Sequence, residues 1–254
     1  MNFAIITSKQ DPAGVNIAEE LKKHDLEKYY AKLYEIEERS IDAEHIDKKI
    51  NADLFIFATR HQSQSKIKSL CVHSPGNWNK AEAGGKDSKL CLCPANYLKE
   101  ALIFLEKNNS VGFDVVQECT HHGPFLEKPC FFIEIGSTEE EWKNKEAAKI
   151  IVKTILHLLE HTPKQNKTAL GIGGLHTTPN FRKIILNSDV ALGHVCPKYM
   201  LEFIDKDMIQ EALEKTTPKA DLIILDWKGL GQYKQKVSEL VKEFDIEVNR
   251  TDKF

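Results

Sequence analysis

No apolar run in this 254-residue chain approaches the roughly 20 residues that a helix needs to cross a bilayer, and the opening stretch Phe3-Ala4-Ile5-Ile6 is too short for the apolar core of a signal peptide. A cytoplasmic location with no membrane partner is therefore expected. Neither charge dominates: 35 basic and 38 acidic residues leave a net −3, which offers no global attraction for nucleic acid. Several short signatures are missing as well. No Gly-rich loop continues into Lys-Ser or Lys-Thr, no glycine triplet has dinucleotide-binding spacing, and no serine sits in a Gly-x-Ser-x-Gly elbow. Nucleotide-binding loops and the serine-hydrolase mechanism are thus disfavoured. Cys91 and Cys93 lack a second cysteine pair at zinc-finger spacing, and the six cysteines lie mostly in apolar strand-like stretches, so they read as reduced thiols.

What is present is the balance of a folded globular protein, with 41% hydrophobic and 29% charged residues. Apolar strand-like runs at Phe3–Thr7, Asp53–Ala58, Leu70–His73, Phe113–Cys119, Cys130–Ile135, Ala169–Ile172, Val190–Leu192 and Asp221–Leu225 are interleaved with helical patterns. The helices are expected after Asp11-Pro12, over Ala95–Asn108, from Ser137-Thr138 to about His161, near 179–187 and 206–216, and over Leu230–Phe244. This alternation predicts an α/β three-layer sandwich around a mixed, largely parallel sheet, in one domain spanning residues 1–254. Two adjacent strand pairs lack an intervening helix, so some pairing is expected to be antiparallel. Around residues 74–90 a polar, Gly-containing loop is inserted. The stretch 60–89 carries Arg60, Lys66, Lys68, Lys80, Lys86 and Lys89 against Glu82 and Asp87, a local +4 suited to a phosphate-bearing substrate or simply to a solvated surface.

Histidine carries the strongest signal. Thr59-Arg60-His61, Thr120-His121-His122-Gly123-Pro124, Gly173-Gly174-Leu175-His176 and Gly193-His194 each end a strand-like run in imidazole. Ligands of open α/β sheets gather outside the carboxyl ends of strands, so these side chains are expected to converge there, as metal ligands or proton carriers. His121 and His122 would point to opposite faces of a regular strand, unless Gly123-Pro124 bends the chain. Glu134, inside Cys130-Phe131-Phe132-Ile133-Glu134-Ile135, must be paired, protonated or metal-bound. Ser63, Ser74, Thr120 and Cys119 are weaker nucleophile candidates, and the Gly171–Gly174 turn offers backbone amides to an oxyanion.

The ordered set Thr59–Ser63, Leu70–Asn77, Thr120–Pro124, Phe132–Trp142 and Gly173–His176 resembles the archaeal and plant class of D-aminoacyl-tRNA deacylases over nearly the whole chain. The resemblance implies hydrolysis of the ester joining a D-amino acid to the 3′ end of tRNA, zinc as cofactor, and a core similar to the phosphorylase and peptidyl-tRNA hydrolase folds. On that basis catalysis is assigned to His61, His121, His122, His176 and Glu134, and substrate binding to Arg60, Ser63, His73, Asn77, Lys86, Gly173 and Gly174. Metal binding is assigned to His121, His122, His176 and His194, and a monomer acting on D-aminoacyl-tRNA is expected. A zinc-dependent peptidase or amidase, or a non-catalytic tRNA-binding protein, would use many of the same residues.

Overall fold

The computed structural model describes all residues, 1–254. Strands β1 (Phe3–Ser8), β2 (Ala31–Ile36), β3 (Leu54–Gln62), β4 (Ser69–His73), β5 (Asp114–Gln117) and β6 (Cys130–Ser137) form one sheet in the order β2-β1-β3-β6-β4-β5. All neighbours are parallel except β4 and β6. The mixed, largely parallel α/β sheet is as expected, but the antiparallel pair is not a local hairpin: β6 inserts between β3 and β4. The later strands do not extend this sheet. β7 (Lys167–Ile172), β8 (Val190–Cys196), β9 (Leu222–Leu225) and β10 (Glu247–Arg250) make a second, wholly parallel sheet in the order β8-β7-β9-β10.

Local chemistry sets the helices. α1 (Pro12–Leu21) starts where the Asp11 side chain accepts from the amides of Ala13 and Gly14, with proline at the first turn where its missing N–H costs nothing. The helix expected from Ser137-Thr138 is instead broken in two. Glu139–Trp142 is a single turn closed by a Thr138/Glu141 capping box, and Asn144 then caps α3 (Lys145–Glu160), because its side chain takes the Ala147 amide that a continuous helix would have used internally. α1, α3 and α2 (Ala95–Asn108) cover one face of the first sheet. The second sheet has α4 (Pro179–Asn187) on one side and α5 (Lys206–Glu214) with α6 (Lys234–Val241) on the other.

One apolar cluster of 39 residues runs from Phe3, Ile5 and Ile56 through α2 and α3 to Phe181, Leu192 and Ile224, so the two sheets share a core. Polar stitches fasten the seam. Gln117 Nε2 donates to the Leu192 carbonyl at 3.0 Å, the Cys119 amide to His176 O at 2.8 Å, and the Thr120 amide to Val195 O at 3.0 Å. Buried Thr178 donates from Oγ1 to the Gln117 carbonyl at 2.5 Å.

The loop at 74–90 is not the free basic flap that its composition suggests. Ser74–Trp78 is buried, Gly76–Asn77 pairs with Lys89–Leu90, and Trp78 Nε1 donates to the Thr120 carbonyl. Two of its three lysines are engaged as well: Lys89 pairs with Glu211, and Lys86 lies 4.5 Å from the Phe125 ring centre, while Lys80 is exposed. Thr178→Val keeps the shape of the seam and leaves the Gln117 carbonyl without its donor. An expected loss of about 1–3 kcal/mol, read from denaturant midpoints, checks this stitch.

Candidate active site

The floor of the site is built by three strands whose side chains alternate between faces. Register aligns them in rows: Phe57, Phe132 and His73; Thr59, Glu134 and Cys71; His61, Gly136 and Ser69. The first row is a stack, with Phe57 and Phe132 rings 4.7 Å apart and Phe132 and His73 5.1 Å apart. In the second, Thr59 Oγ1 donates to Glu134 Oε1 at 2.6 Å. In the third, a side chain on Gly136 would meet His61 Cδ2 at 2.6 Å and Ser69 Oγ at 2.8 Å, so only glycine lets His61 lie flat there.

Two further segments cross this floor. Glu118–His122 leaves β5, with the Glu118 amide bonded to Val72 O, and Gly173–His176 arrives from β7 of the second sheet. His122 takes φ +43°, off the strand path, so that His121 and His122 turn to the same side with ring centres 4.3 Å apart. The two faces expected of a regular strand do not apply. His121 lies 4.2 Å from His73 and 4.5 Å from His176, ring centre to ring centre. A cavity of about 360 Å³ opens above them, with Asp11, Arg39, Arg60 and Gln62 also in its walls.

Two buried carboxylates organise the imidazoles. Glu118 Oε1 lies 3.2 Å from His61 Nδ1 and 3.3 Å from His176 Nε2, and Glu134 Oε2 lies 3.8 Å from His61 Nδ1 and 3.7 Å from His73 Nε2. Burial alone would raise the pKa of each acid, but the facing imidazoles outweigh it. Glu118 is held well below the usual carboxylate range by His176 and His61, and Glu134 is lowered chiefly by His73. Conversely, burial works against a charge on His61 and His176, yet Glu118 lifts His61, and Cys119 with Glu118 pushes His176 up to about 11. His121 and His122 move the other way: burial, then the neighbouring imidazoles, drive His121 well down and His122 to about 4. The carboxylates therefore favour a charge on His61 and His176, while burial disfavours one on His121 and His122.

Tautomers follow from the partners. His121 Nδ1 faces the Cys119 carbonyl at 2.9 Å, His122 Nδ1 the Gly123 carbonyl at 2.6 Å, and His73 Nδ1 the Ser74 carbonyl at 3.3 Å. A carbonyl only accepts, so each Nδ1 carries a proton; burial disfavours a second one on His121 and His122, whose Nε2 then presents a lone pair. The three residues offer donor atoms within 4.8 Å of one another, as do Cys119, His121 and His176. His73 Nε2 and both oxygens of Glu118 are buried without an aligned hydrogen-bond partner. Orphaned nitrogen and carboxylate donors with carbonyl-fixed tautomers are what a divalent metal of borderline softness requires, so the residues fit such an ion.

The model of the D-aminoacyl-tRNA deacylase family matches residues 48–249. The chain belongs to that family. It is 39% identical to the D-aminoacyl-tRNA deacylase of Pyrococcus furiosus over 265 residues, covering 96% of this chain and 97% of the relative. It is 33% identical to that of Methanococcus maripaludis over 264 residues, covering 98% and 100%. A crystal structure of a conserved protein of unknown function superposes with a TM-score of 0.91 at 31% identity, over 99% of this chain and 96% of the other.

In this family member the fold brings together His61, His73, His121, His122, His176 and Glu134, with Arg60 at the wall. Other residues named from the sequence lie elsewhere. His194 is wholly buried with both nitrogens committed, Nε2 to Cys91 O and Nδ1 to Thr120 Oγ1, each at 3.0 Å, so no lone pair remains for a metal. Ser63 sits in a surface turn beside Ser65. Asn77 staples its own loop through the Gly84 and Lys86 carbonyls, and Lys86 rests on Phe125. The Gly173 amide donates to Cys196 O rather than facing the cavity, and Gly174 abuts Asp226; their φ of +100° and +85° swings the chain to deliver His176. Glu118 and Asp11 are the residues that sequence reasoning missed. The argument applied to Glu134 would have found Glu118, an acid inside the strand-like run Phe113–Cys119. In metal-free protein, Glu118→Gln is expected to lower the pKa of both His61 and His176 in an NMR titration. Unaltered values would show that another group holds their protons.

Proposed function

We propose that this cavity hydrolyses the ester linking a D-amino acid to the 3′ end of tRNA, releasing both. Family membership over nearly the full chain supports the reaction. The observation that carries the residue roles is that Glu118 Oε1 lies 3.2 Å from His61 Nδ1 and 3.3 Å from His176 Nε2, while His121 and His122 beside them turn Nδ1 to backbone carbonyls. Ester hydrolysis needs negative charge stabilised on the carbonyl oxygen and a proton delivered to the departing ribose oxygen. His176, held protonated and part-exposed at the mouth, is placed to serve the second task, and His61, deeper in the cavity, the first. Glu134 holds His61 and His73 in place, and Thr59 holds Glu134. Arg60, whose guanidinium sits 5.0 Å from the Trp142 ring centre, supplies positive charge at the cavity wall for a substrate phosphate, whereas Arg39 in the same wall is paired with Asp42.

Zinc is the metal we assign to this cluster, held by His73, whose Nε2 has no hydrogen-bond partner, together with His121 and His122. Bound there it would supply Lewis acidity toward the ester carbonyl or toward water. The chain would act in the cytoplasm as a monomer, and none of its helices is long and apolar enough to cross a membrane.

Multiple turnover on D-tyrosyl-tRNA, with L-tyrosyl-tRNA left intact, is the expected outcome of a deacylation assay, and equal cleavage of both or of neither overturns the reading. The rate should fall steeply with added salt as phosphate contacts are screened. His176→Ala is expected to lower kcat by roughly 100-fold or more, the usual worth of a positioned proton donor. His121→Ala in folded protein should lose bound zinc by elemental analysis; retained stoichiometry would remove His121 from the metal set.

A further inference from the structure

Around His176 the protein exposes Leu175 at 51% and Tyr199 at 48%, and the turns that carry Tyr199 expose Phe203 at 46% four residues on. They belong to two neighbouring segments. Leu175 precedes His176 in the turn after β7, while Tyr199 and Phe203 lie in the tight helical turns after β8. The Lys198 amide donates to Gly174 O at 3.0 Å and the Phe203 amide to Met200 O at 3.0 Å, which fixes one segment against the other and gives the second its pitch. Tyr199 joins this surface to the site, its hydroxyl lying 3.1 Å from His176 Nδ1 and 3.3 Å from Cys119 Sγ, with its ring near-parallel to the imidazole. Lys198, exposed in the same turn, adds a cation at the edge.

We infer that Leu175, Tyr199 and Phe203 form the platform on which the unpaired 3′-terminal bases of the tRNA stack. The inference rests on the deacylase reading above and gives it a substrate-positioning surface. The chemistry follows from continuity. The scissile ester sits on the ribose of the last nucleotide, so with that ester in the cavity that His176 lines, the attached base must rest within one nucleotide of His176. Single-stranded bases are held by aromatic and apolar faces, with a nearby cation for phosphate, and such faces accept any base. This patch combines that composition with direct contact to His176 through Tyr199. The alternative occupant, a second copy of the chain, becomes an outcome of the test.

Phe203 and Leu175 are the residues to change, because neither bonds to the imidazole cluster. The probe is uncharged tRNA carrying 2-aminopurine as its 3′-terminal base, whose fluorescence is quenched by stacking. Wild-type protein is expected to quench it, the Leu175→Ala/Phe203→Ala double variant to lose the quenching, and Phe203→Trp to keep it. With D-tyrosyl-tRNA the double variant should raise KM roughly tenfold or more, in the range usual for removal of a stacked base. Unchanged quenching and KM in the folded double variant overturn the platform. A concentration-dependent dimer that the double variant abolishes would assign the patch to self-association and overturn it equally. Failure of the wild type to cleave D-tyrosyl-tRNA would sink the deacylase reading instead, and the quenching assay, which needs no chemistry, keeps the two failures apart.

Discussion

Two carboxylates placed beyond the reach of water govern the site. Glu118 and Glu134 are 1% and 3% exposed, and burying an anion costs several kcal/mol unless partners return it. Their partners can only be imidazoles or a cation, since no lysine or arginine is paired with either acid. Ionised Glu118 draws protons onto His61 and His176. Burial, and after it the neighbouring imidazoles, make a charge on His121 or His122 unfavourable against the pull of the same acids, so the imidazoles divide into two kinds, those that the acids favour as cations and those that burial keeps from charging. Without that division the cavity would hold five equivalent bases and no internal acid.

The geometry that permits it comes from strand direction. Because β4 and β5 run against β6, their carboxyl ends point toward the amino half of the sheet, and His73 and Glu118 meet Phe132 and Glu134 over the middle of a face instead of at a shared rim. The crevice rule for open parallel sheets presupposes one direction, and here the reversal folds two rims onto one another. Helices cover the opposite face. The site face is roofed only in part, by loops around Phe125, Leu126 and Cys91, which leaves room for the cavity.

Much of this was legible in the order of residues, and the gaps have physical causes. Apolar runs such as Leu54–Ala58 and Cys130–Ile135 marked strands covered on both sides, and histidines following such runs marked the site, because those signals depend on neighbours in sequence. Pairing partners do not. Nothing local says that Cys130–Ser137 inserts between β3 and β4, or that strands after Lys167 form their own sheet. His194 carried the same strand-end signal as His61, but its neighbours in space, Thr120 and the Cys91 carbonyl, absorb both nitrogens. Local positive charge around 60–89 was only partly informative, since Arg60 reaches the cavity wall whereas Lys68 and Lys89 are drawn to Glu140, Glu141 and Glu211 from distant elements.

His176 differs from the other imidazoles in its origin, for it alone arrives from the second sheet, carried on the turn that Cys119, Gln117 and Thr178 fasten to the first. Its ion pair with Glu118 thus spans the seam. Linkage makes the relation reciprocal: whatever loosens the seam weakens the pair, and whatever stabilises the pair tightens the seam by the same free energy. The pair is stable only while Glu118 is ionised and His176 protonated, conditions that each imposes on the other through their lowered and raised pKa values. A substrate that neutralised Glu118 or took the proton from His176 would therefore weaken the seam at the moment of reaction. The stitches made by backbone amides, which carry no net charge, are what hold the turn in register through that step.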